Sequence, residues 1–368
     1  MSDTIRRIAI TTGGGDAPGL NAVIRAATLA ARRMGWEVLG IRKGYKGLLD
    51  TSQVMQLDAT NVRGIAHRGG TILGTSNRGN PFTLPITLPD GTQTDVDRSN
   101  EIVTNFRRLG LGALIAIGGD GSMRIAQQLA AKGLPVVGVP KTIDNDLEGT
   151  TVTFGFDTAV NVATEAIGRL HSTAEAHERV FVVELMGRYA GWIALHAGIA
   201  GGADVILMPE IPYEMKSVCR KIMDREAHGR HFSIVVVAEG AAPAGGHMVT
   251  KGPGESGRQE VVLGGIAEQV AHEIQACTGK ETRTVVLGHL QRGGEPSPLD
   301  RLIALRFGAA AVRVVAAGEF SVMVALDPPR IHTIPLSEAT RRMKTVPPDC
   351  DTIGTARAIG ICLGDETP

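Results

Sequence analysis

Short apolar runs alternate with stretches of helical periodicity along almost the whole of this 368-residue chain, and that alternation limits the fold more than any other feature. A strand-like run at 8–12 is followed by apolar residues at helical spacing (Leu20, Val23, Ile24, Ala27, Ala31, Met34) and a second strand at 38–41. Buried-strand patterns return at 114–117 and 135–139. They are followed by a helix over 157–176, a strand at 180–185, a helix over 192–200 and a strand at 205–208. A helix over 214–228, a strand at 234–238, a helix over 261–277 and a strand at 284–287 complete the series. Repeated β–α–β units imply an α/β fold with mainly parallel sheets, helices on both faces and right-handed crossovers. The length suggests two core units, which with this alternation gives two doubly wound lobes.

Two segments interrupt the rhythm. Positions 77–97, rich in Gly, Pro, Thr and Asp, read as a long excursion or a hairpin, and positions 240–257 hold six glycines and two prolines, a mobile-loop composition. Lys plus Arg and Asp plus Glu are both 38, so bulk charge gives no reason to expect a nucleic-acid partner or a membrane surface. No apolar run approaches the roughly 20 residues that cross a bilayer, and the polar start at 1–7 does not read as a signal peptide. Cys219, Cys277, Cys350 and Cys362 lack metal-ligand spacing, and reduced thiols in a cytoplasmic protein are expected.

The chemistry-bearing residues cluster where strands end. Thr12-Gly13-Gly14-Gly15-Asp16-Ala17-Pro18-Gly19 joins a strand to a helix, either as a tight turn or as an anion cradle of free N–H groups. In Ile117-Gly118-Gly119-Asp120-Gly121-Ser122 the flanking glycines leave the Asp120 carboxylate open to a Mg²⁺ ion and phosphate oxygens. Pro140-Lys141-Thr142-Ile143-Asp144-Asn145-Asp146 places four reactive side chains in one turn, more than a structural turn requires. Further strand-associated segments carry Arg188 (within 184–191), Glu239, Arg283, and His289 with Arg292 (within 287–294). Guanidinium groups meet phosphate bidentately, so this set suits an acceptor that itself bears a phosphate. Together these segments read as a phosphoryl-transfer site.

Taken in order, these motifs, with Glu184–Trp192 and the Asp300-Arg301 pair, resemble those of the 6-phosphofructokinases. The likeness runs from about Arg7 to Val324 and more loosely beyond. It implies transfer of a phosphoryl group to the 1-hydroxyl of fructose 6-phosphate. The resemblance also implies a donor (ATP/Mg²⁺) lobe of residues 1–155 plus 293–345, and a fructose 6-phosphate lobe of 156–292 plus 346–368. By the same likeness Gly15, Arg78, Gly79, Gly119, Asp120, Gly121, Ser122 and Lys141 bind the donor, with Asp120 as Mg²⁺ ligand. Asp144 is the general base, Thr142 and Arg188 act on the transferring group and the sugar, and Asp146 supports the metal or the base. Thr142, Ile143, Asp144, Met186, Gly187, Arg188, Glu239, His289, Leu290 and Gln291 line the sugar. Arg179, Arg283 and Arg292 take its 6-phosphate. Arg179 and Arg283 come from a neighbouring subunit in this family, which implies a homo-oligomer, dimer or tetramer, with shared sites.

Two positions bear on the donor. Gly121 resembles ATP users, because a glycine leaves room for the α-phosphate where pyrophosphate users carry an Asp. Lys141 resembles pyrophosphate users. Since an Asp at 121 excludes a nucleotide and a Lys at 141 does not, ATP is the expected donor and pyrophosphate the alternative. Arg25 matches one arginine of the family's nucleotide effector site, whereas Leu29 and His171 stand where arginines are expected, which implies weak control by ADP or phosphoenolpyruvate.

Overall fold

The computed structural model describes residues 5–76, 79–250 and 263–366. From the N-terminus run β1 (Arg7–Thr12), β2 (Glu37–Ile41), β3 (Val54–Leu57), a hairpin of β4 (Leu84–Thr87) and β5 (Gln93–Val96), then β6 (Ala113–Gly118) and β7 (Val136–Pro140). After them come β8 (Val180–Leu185), β9 (Val205–Leu207), β10 (Ser233–Ala238), β11 (Thr282–Val286), β12 (Val322–Asp327) and β13 (Arg330–Pro335). Among the described residues, one sheet has seven strands in the order β13-β12-β7-β6-β1-β2-β3 and a second has four in the order β11-β8-β10-β9. The second is parallel throughout. In the first, only β3 and β13, the two edges, run antiparallel to their neighbours.

Strand side chains alternate between faces, and the apolar clusters follow that period. Ile8, Ile10, Ile115, Ile117, Val137 and Val139 belong to the core on one face of the seven-stranded sheet, and Ala9, Leu114, Ala116 and Val136 to the core on the other. Phe181, Val183, Ile234 and Val236 are likewise separated from Val180, Val182, Val235 and Val237 in the four-stranded sheet. Sheets buried on both faces have continuously apolar strands, and this is why these runs were readable as buried.

The covering helices are α1 (Leu20–Arg33), α2 (Ser99–Arg108), α3 (Asp120–Ala131), α4 (Phe156–His177), α5 (Trp192–Ala200), α6 (Met215–Ala227), α7 (Ile266–Thr278), α8 (Pro298–Ala316), α9 (Leu336–Ala339) and α10 (Asp351–Ala358). The helix expected over 261–277 starts only at Ile266, after Gly264 and Gly265, which have φ +136° and +94° and cannot be the helical N-terminus of an L-residue run. The strand expected at 284–287 is shifted to Thr282–Val286. The 77–97 excursion contains the β4–β5 hairpin. Of the loop expected to be mobile at 240–257, positions 251–257 lie outside the described residues.

The expectation of four reduced thiols is corrected. Cys219 of α6 and Cys277 of α7 form a disulfide with Cα atoms 6.3 Å apart, while Cys350 and Cys362 are free. Val218 and Ile222 of α6 and Val270 and Ile274 of α7 share one apolar cluster on the four-stranded sheet. That packing brings together two cysteines 58 residues apart, a proximity that spacing alone does not encode.

Candidate active site

The seven-stranded sheet changes direction at β1, whose neighbours are β6 on one side and β2 on the other. The carboxyl end of such a switch point opens a crevice for a ligand. Here the loops after β1, β6 and β7 lie side by side: Gly13 N–H donates to Ile117 O at 2.9 Å, and Lys141 N–H to Gly118 O at 2.9 Å. The glycines permit that closeness. A Cβ at Gly13 or at Gly118 would stand 2.5 Å from Ser122 Oγ, and one at Gly15 would stand 3.0 Å from Arg292 Nη1. Tyr45 Oη, buried behind the loop, donates to Ser122 O at 3.0 Å, and the Thr75 hydroxyl donates to Gly14 O. Neither residue was flagged by a motif, because each reaches the cradle from a distant segment.

Gly119 is the N-cap of α3, so Asp120, Gly121 and Ser122 form its first turn, where backbone N–H groups lack intrahelical acceptors. Asp120 pairs with Arg124 at 2.9 Å and keeps 19% of its side chain exposed. Among the described residues no three His, Cys, Asp or Glu side chains converge as a ready metal cage. One partly exposed carboxylate beside a glycine turn still suits Mg²⁺, which is usually held by one or two carboxylates plus substrate phosphates and water. Gly79 lies next to Ser76 and Lys46, and Arg78 lies outside the described residues.

The turn after β7 is bound tightly to the chain that follows it. Thr142 Oγ1 accepts the Asp144 N–H at 3.1 Å, Asn145 Oδ1 accepts the Thr153 N–H at 3.1 Å, and the Thr153 hydroxyl donates to Thr142 O at 2.8 Å. Asn145 takes up a left-handed backbone (φ 52°) at the apex. Ile143 is fully buried in the core, so only its backbone lines the crevice. Burial, then the neighbouring Asp144 charge, pushes the Asp146 carboxyl up to about 7, against a lowering hydrogen bond from Thr142. Lys141 is 3% exposed and donates to Gly15 O. Burial first, and then Arg292, push its ammonium down to about 8, with Asp16, Asp146 and Asp144 opposing.

The four-stranded sheet presents a second set. Met186, Gly187 and Arg188 follow β8 and Glu239 follows β10, joined by Glu239 N–H to Leu185 O at 2.8 Å and Gly240 N–H to Gly187 O at 3.1 Å. Only a glycine fits at 240, since a Cβ there would run into the Arg188 carbonyl. The Glu239 carboxyl is raised by burial, while Arg188 and Arg292 pull it down. Arg292 is therefore close enough to act on both Lys141 and Glu239, and it also donates to Asp16 O at 3.2 Å. His289 and Leu290 are exposed on the Gly288–Arg292 turn. Gln291 is fully buried and accepts the Met186 N–H at 2.8 Å, so it shapes the Met186–Arg188 turn.

Arg179 and Arg283 are placed differently. Arg179 precedes β8 and Arg283 lies near the start of β11, at the amino end of the sheet, and both pair with Glu281. Six residues of strand separate that edge from Arg188, a span of about 20 Å.

A family model described as Phosphofructokinase matches residues 7–315. An ATP-dependent 6-phosphofructokinase of Chloroflexus aurantiacus is 51% identical over 366 residues, covering 100% of each chain. A pyrophosphate–fructose 6-phosphate 1-phosphotransferase of Streptomyces coelicolor is 50% identical over 344 residues, covering 93% of this chain and 96% of the relative. The crystal structure of Pichia pastoris phosphofructokinase in the T-state superposes with a TM-score of 0.79 at 31% identity, over 97% of this chain and 36% of that longer one. This chain belongs to the phosphofructokinase family.

Proposed function

We propose that the chain transfers the γ-phosphoryl group of ATP to the 1-hydroxyl of fructose 6-phosphate, giving fructose 1,6-bisphosphate and ADP. The observation that carries this reading is the single crevice in which a glycine cradle, the Asp144–Asp146 pair and Arg292 meet. Backbone N–H groups of Gly15 and of Gly119 to Ser122 hold the donor phosphates, and Gly121 leaves the α-phosphate room. Mg²⁺ bound by Asp120 and the donor would neutralise phosphate charge. Asp144 takes the proton of the 1-hydroxyl as its oxygen bonds to the γ-phosphorus and the bond to ADP breaks. Thr142 and Lys141 face the transferring group, and positioning with charge stabilisation supplies most of the acceleration.

On the acceptor side, Met186, Gly187, Arg188, Glu239, His289 and Leu290 line the sugar, with Gln291 behind them, and Arg292 takes the 6-phosphate. The 1–155 plus 293–345 part binds the donor and the 156–292 plus 346–368 part binds the sugar. Arg179 and Arg283, at the far edge of their sheet, serve the site of a second copy, so the working unit is a homo-oligomer. The relative named for pyrophosphate is 50% identical over 93% of this chain, and one named for ATP is 51% identical over all of it. Gly121 decides for ATP. On this reading the reaction is cytoplasmic. A coupled assay with fructose 6-phosphate and Mg²⁺ tests the proposal: higher kcat/KM with ATP than with pyrophosphate supports it, and absence of turnover with either donor refutes it.

A further inference from the structure

Asp144 and Arg292 lie in segments far apart in the sequence, yet the proposed transfer needs them at a constant separation. Each segment runs directly into a long helix. From the Asp144 turn the chain passes through Thr153 and Gly155 into α4, and from Arg292 it passes through Gly294 and Ser297 into α8. The first turns of these helices meet. Gly155, the N-cap of α4, supplies no side-chain hydrogen bond. Asp300 of α8 substitutes for it, its Oδ2 accepting the Thr158 N–H at 2.7 Å and the Thr158 hydroxyl at 2.6 Å. The exchange is reciprocal. Ser297, the N-cap of α8, donates its N–H to Thr158 Oγ1 at 2.9 Å and its hydroxyl to Asp157 Oδ2 at 2.5 Å, while its Oγ accepts the Asp300 N–H at 3.1 Å.

Two helix N-termini carry like partial charges and repel when they converge, and a buried carboxylate is costly without partners. Here Asp300 Oδ2 answers both in part, with Asp300 fully buried and Thr158 5% exposed, while Asp300 Oδ1 makes no hydrogen bond among the described residues. Burial pushes the Asp300 carboxyl up to about 6, and the Thr158 hydroxyl, the Thr158 N–H and the Gly155 N–H restrain it against Asp157, so it is mainly ionised at neutral pH.

Little slack separates this junction from the chemistry. Thr153 is bonded to Asn145 and Thr142, and a Cβ at Gly155 would stand 2.8 Å from Ala17. On the other side Gln291 and Arg292 are bonded to Met186 and Asp16. We propose that Asp300, Thr158 and Ser297 are positioning residues, a clamp between two helix N-termini that fixes the Arg292 segment against the Asp144 turn. The proposal rests on the kinase reading above and deepens it, because none of the three touches substrate.

The test compares Thr158→Val, which keeps the shape and removes the hydroxyl, with Thr158→Ser, which restores it, and with the milder Ser297→Ala. For Thr158→Val, kcat/KM for fructose 6-phosphate falls at least tenfold while the donor KM moves less than twofold, and Thr158→Ser returns to within threefold of the parent. Ser297→Ala lies between them and covers the case in which Thr158→Val does not fold. Amide hydrogen exchange without ligand gives a readout independent of the reaction: segments 142–146 and 288–296 accelerate together. Acceleration confined to the first turns of α4 and α8 overturns the clamp, as does equal loss toward donor and acceptor in the variants that fold. If the parent turns over no fructose 6-phosphate, the kinase reading fails, and the exchange pattern still decides the clamp.

Discussion

Replacing Lys141 with methionine separates the charge of this residue from its volume. The ammonium is 3% exposed, donates to Gly15 O, and lies 3.5 Å from where a Gly14 side chain would begin. Its reduction from 10.5 to about 8 corresponds, at about 1.4 kcal/mol per pH unit, to roughly 3 kcal/mol of destabilisation at neutral pH. The sign follows from linkage. Below pH 8 both folded and unfolded chains carry the charge and the full cost is present. As pH rises from 8 to 10.5 the folded chain is already neutral while the unfolded chain still binds the proton, so stability increases. The methionine variant escapes that cost but loses a charge-assisted hydrogen bond of about 1.5–3 kcal/mol. Its stability at pH 7 is expected to stay within about 1–2 kcal/mol of the parent.

The donor feels a larger change. A unit charge about 6 Å from a phosphate contributes about 3 kcal/mol at an effective dielectric constant near 20, or about a hundredfold in kcat/KM. Lys141→Met should therefore lose about 30- to 100-fold in kcat/KM for the donor, more steeply for pyrophosphate than for ATP because all of the smaller donor's charge lies near the ammonium. In the parent, kcat/KM for the donor falls as pH rises through about 8, and the variant lacks that alkaline limb. Coupled assays across pH 6.5–9.5 at saturating fructose 6-phosphate read both effects. Unchanged donor kcat/KM with both donors, or an alkaline limb that survives the substitution, would refute the assignment.

Asp144→Ala should lower kcat by about 10² to 10⁴, the usual contribution of a general base, while fructose 6-phosphate binding stays measurable by calorimetry; near-parent turnover removes Asp144 from that role. Thiol titration of the denatured protein without reductant should find two reactive cysteines, Cys350 and Cys362, and four after reduction; four before reduction contradicts the α6–α7 bridge. Phosphoenolpyruvate should inhibit weakly, because Leu29 and His171 stand where cationic ligands are expected. His171 is already engaged with Gly201 O at 2.7 Å and Arg25 donates to Val62 O at 3.1 Å. A steep inhibition curve contradicts this. Arg179→Ala mixed with Asp144→Ala should recover activity that neither has alone if Arg179 serves a neighbour's site, and no recovery in mixed oligomers contradicts a shared site.

What was legible in the sequence divides along a physical line. Buried parallel strands are continuously apolar, and glycine turns beside acids mark strand ends. So the strands β1, β6, β7, β8 and β10, together with the Gly13–Gly15, Gly118–Ser122 and Lys141–Asp146 segments, were visible before any coordinates. The edge strands β3 and β13 were not, because Met55 and Ile331 are only half buried and the apolar signal is diluted. The end of a sheet at which an arginine falls also depends on strand boundaries finer than periodicity resolves. Arg283 was grouped with Arg188 and Arg292 as arginines at strand ends, but it stands at the amino end of β11, whereas Arg188 and Arg292 follow the carboxyl ends of β8 and β11.

Residues that act through other residues were the least legible. Gln291 stands between His289 and Arg292 in the sequence and was read with them as a sugar contact, but its side chain turns inward to hold the Met186 N–H. Asp300 entered the sequence reading only as part of the Asp300-Arg301 pair, and an acid in the first turn of a helix ordinarily complements that helix's own dipole. It caps a different helix instead. A motif records which groups meet the ligand, because their spacing is set within one loop. The partners of Gln291 and Asp300 lie more than a hundred residues away, and no local pattern carries that information. A phosphoryl-transfer site assembled from several loops needs such cross-ties, since Coulomb stabilisation of a developing charge depends on donors held in place before the reaction begins. The search for further determinants of rate in this chain therefore belongs among buried polar residues bonded to distant backbone, ahead of the exposed residues adjacent to the motifs.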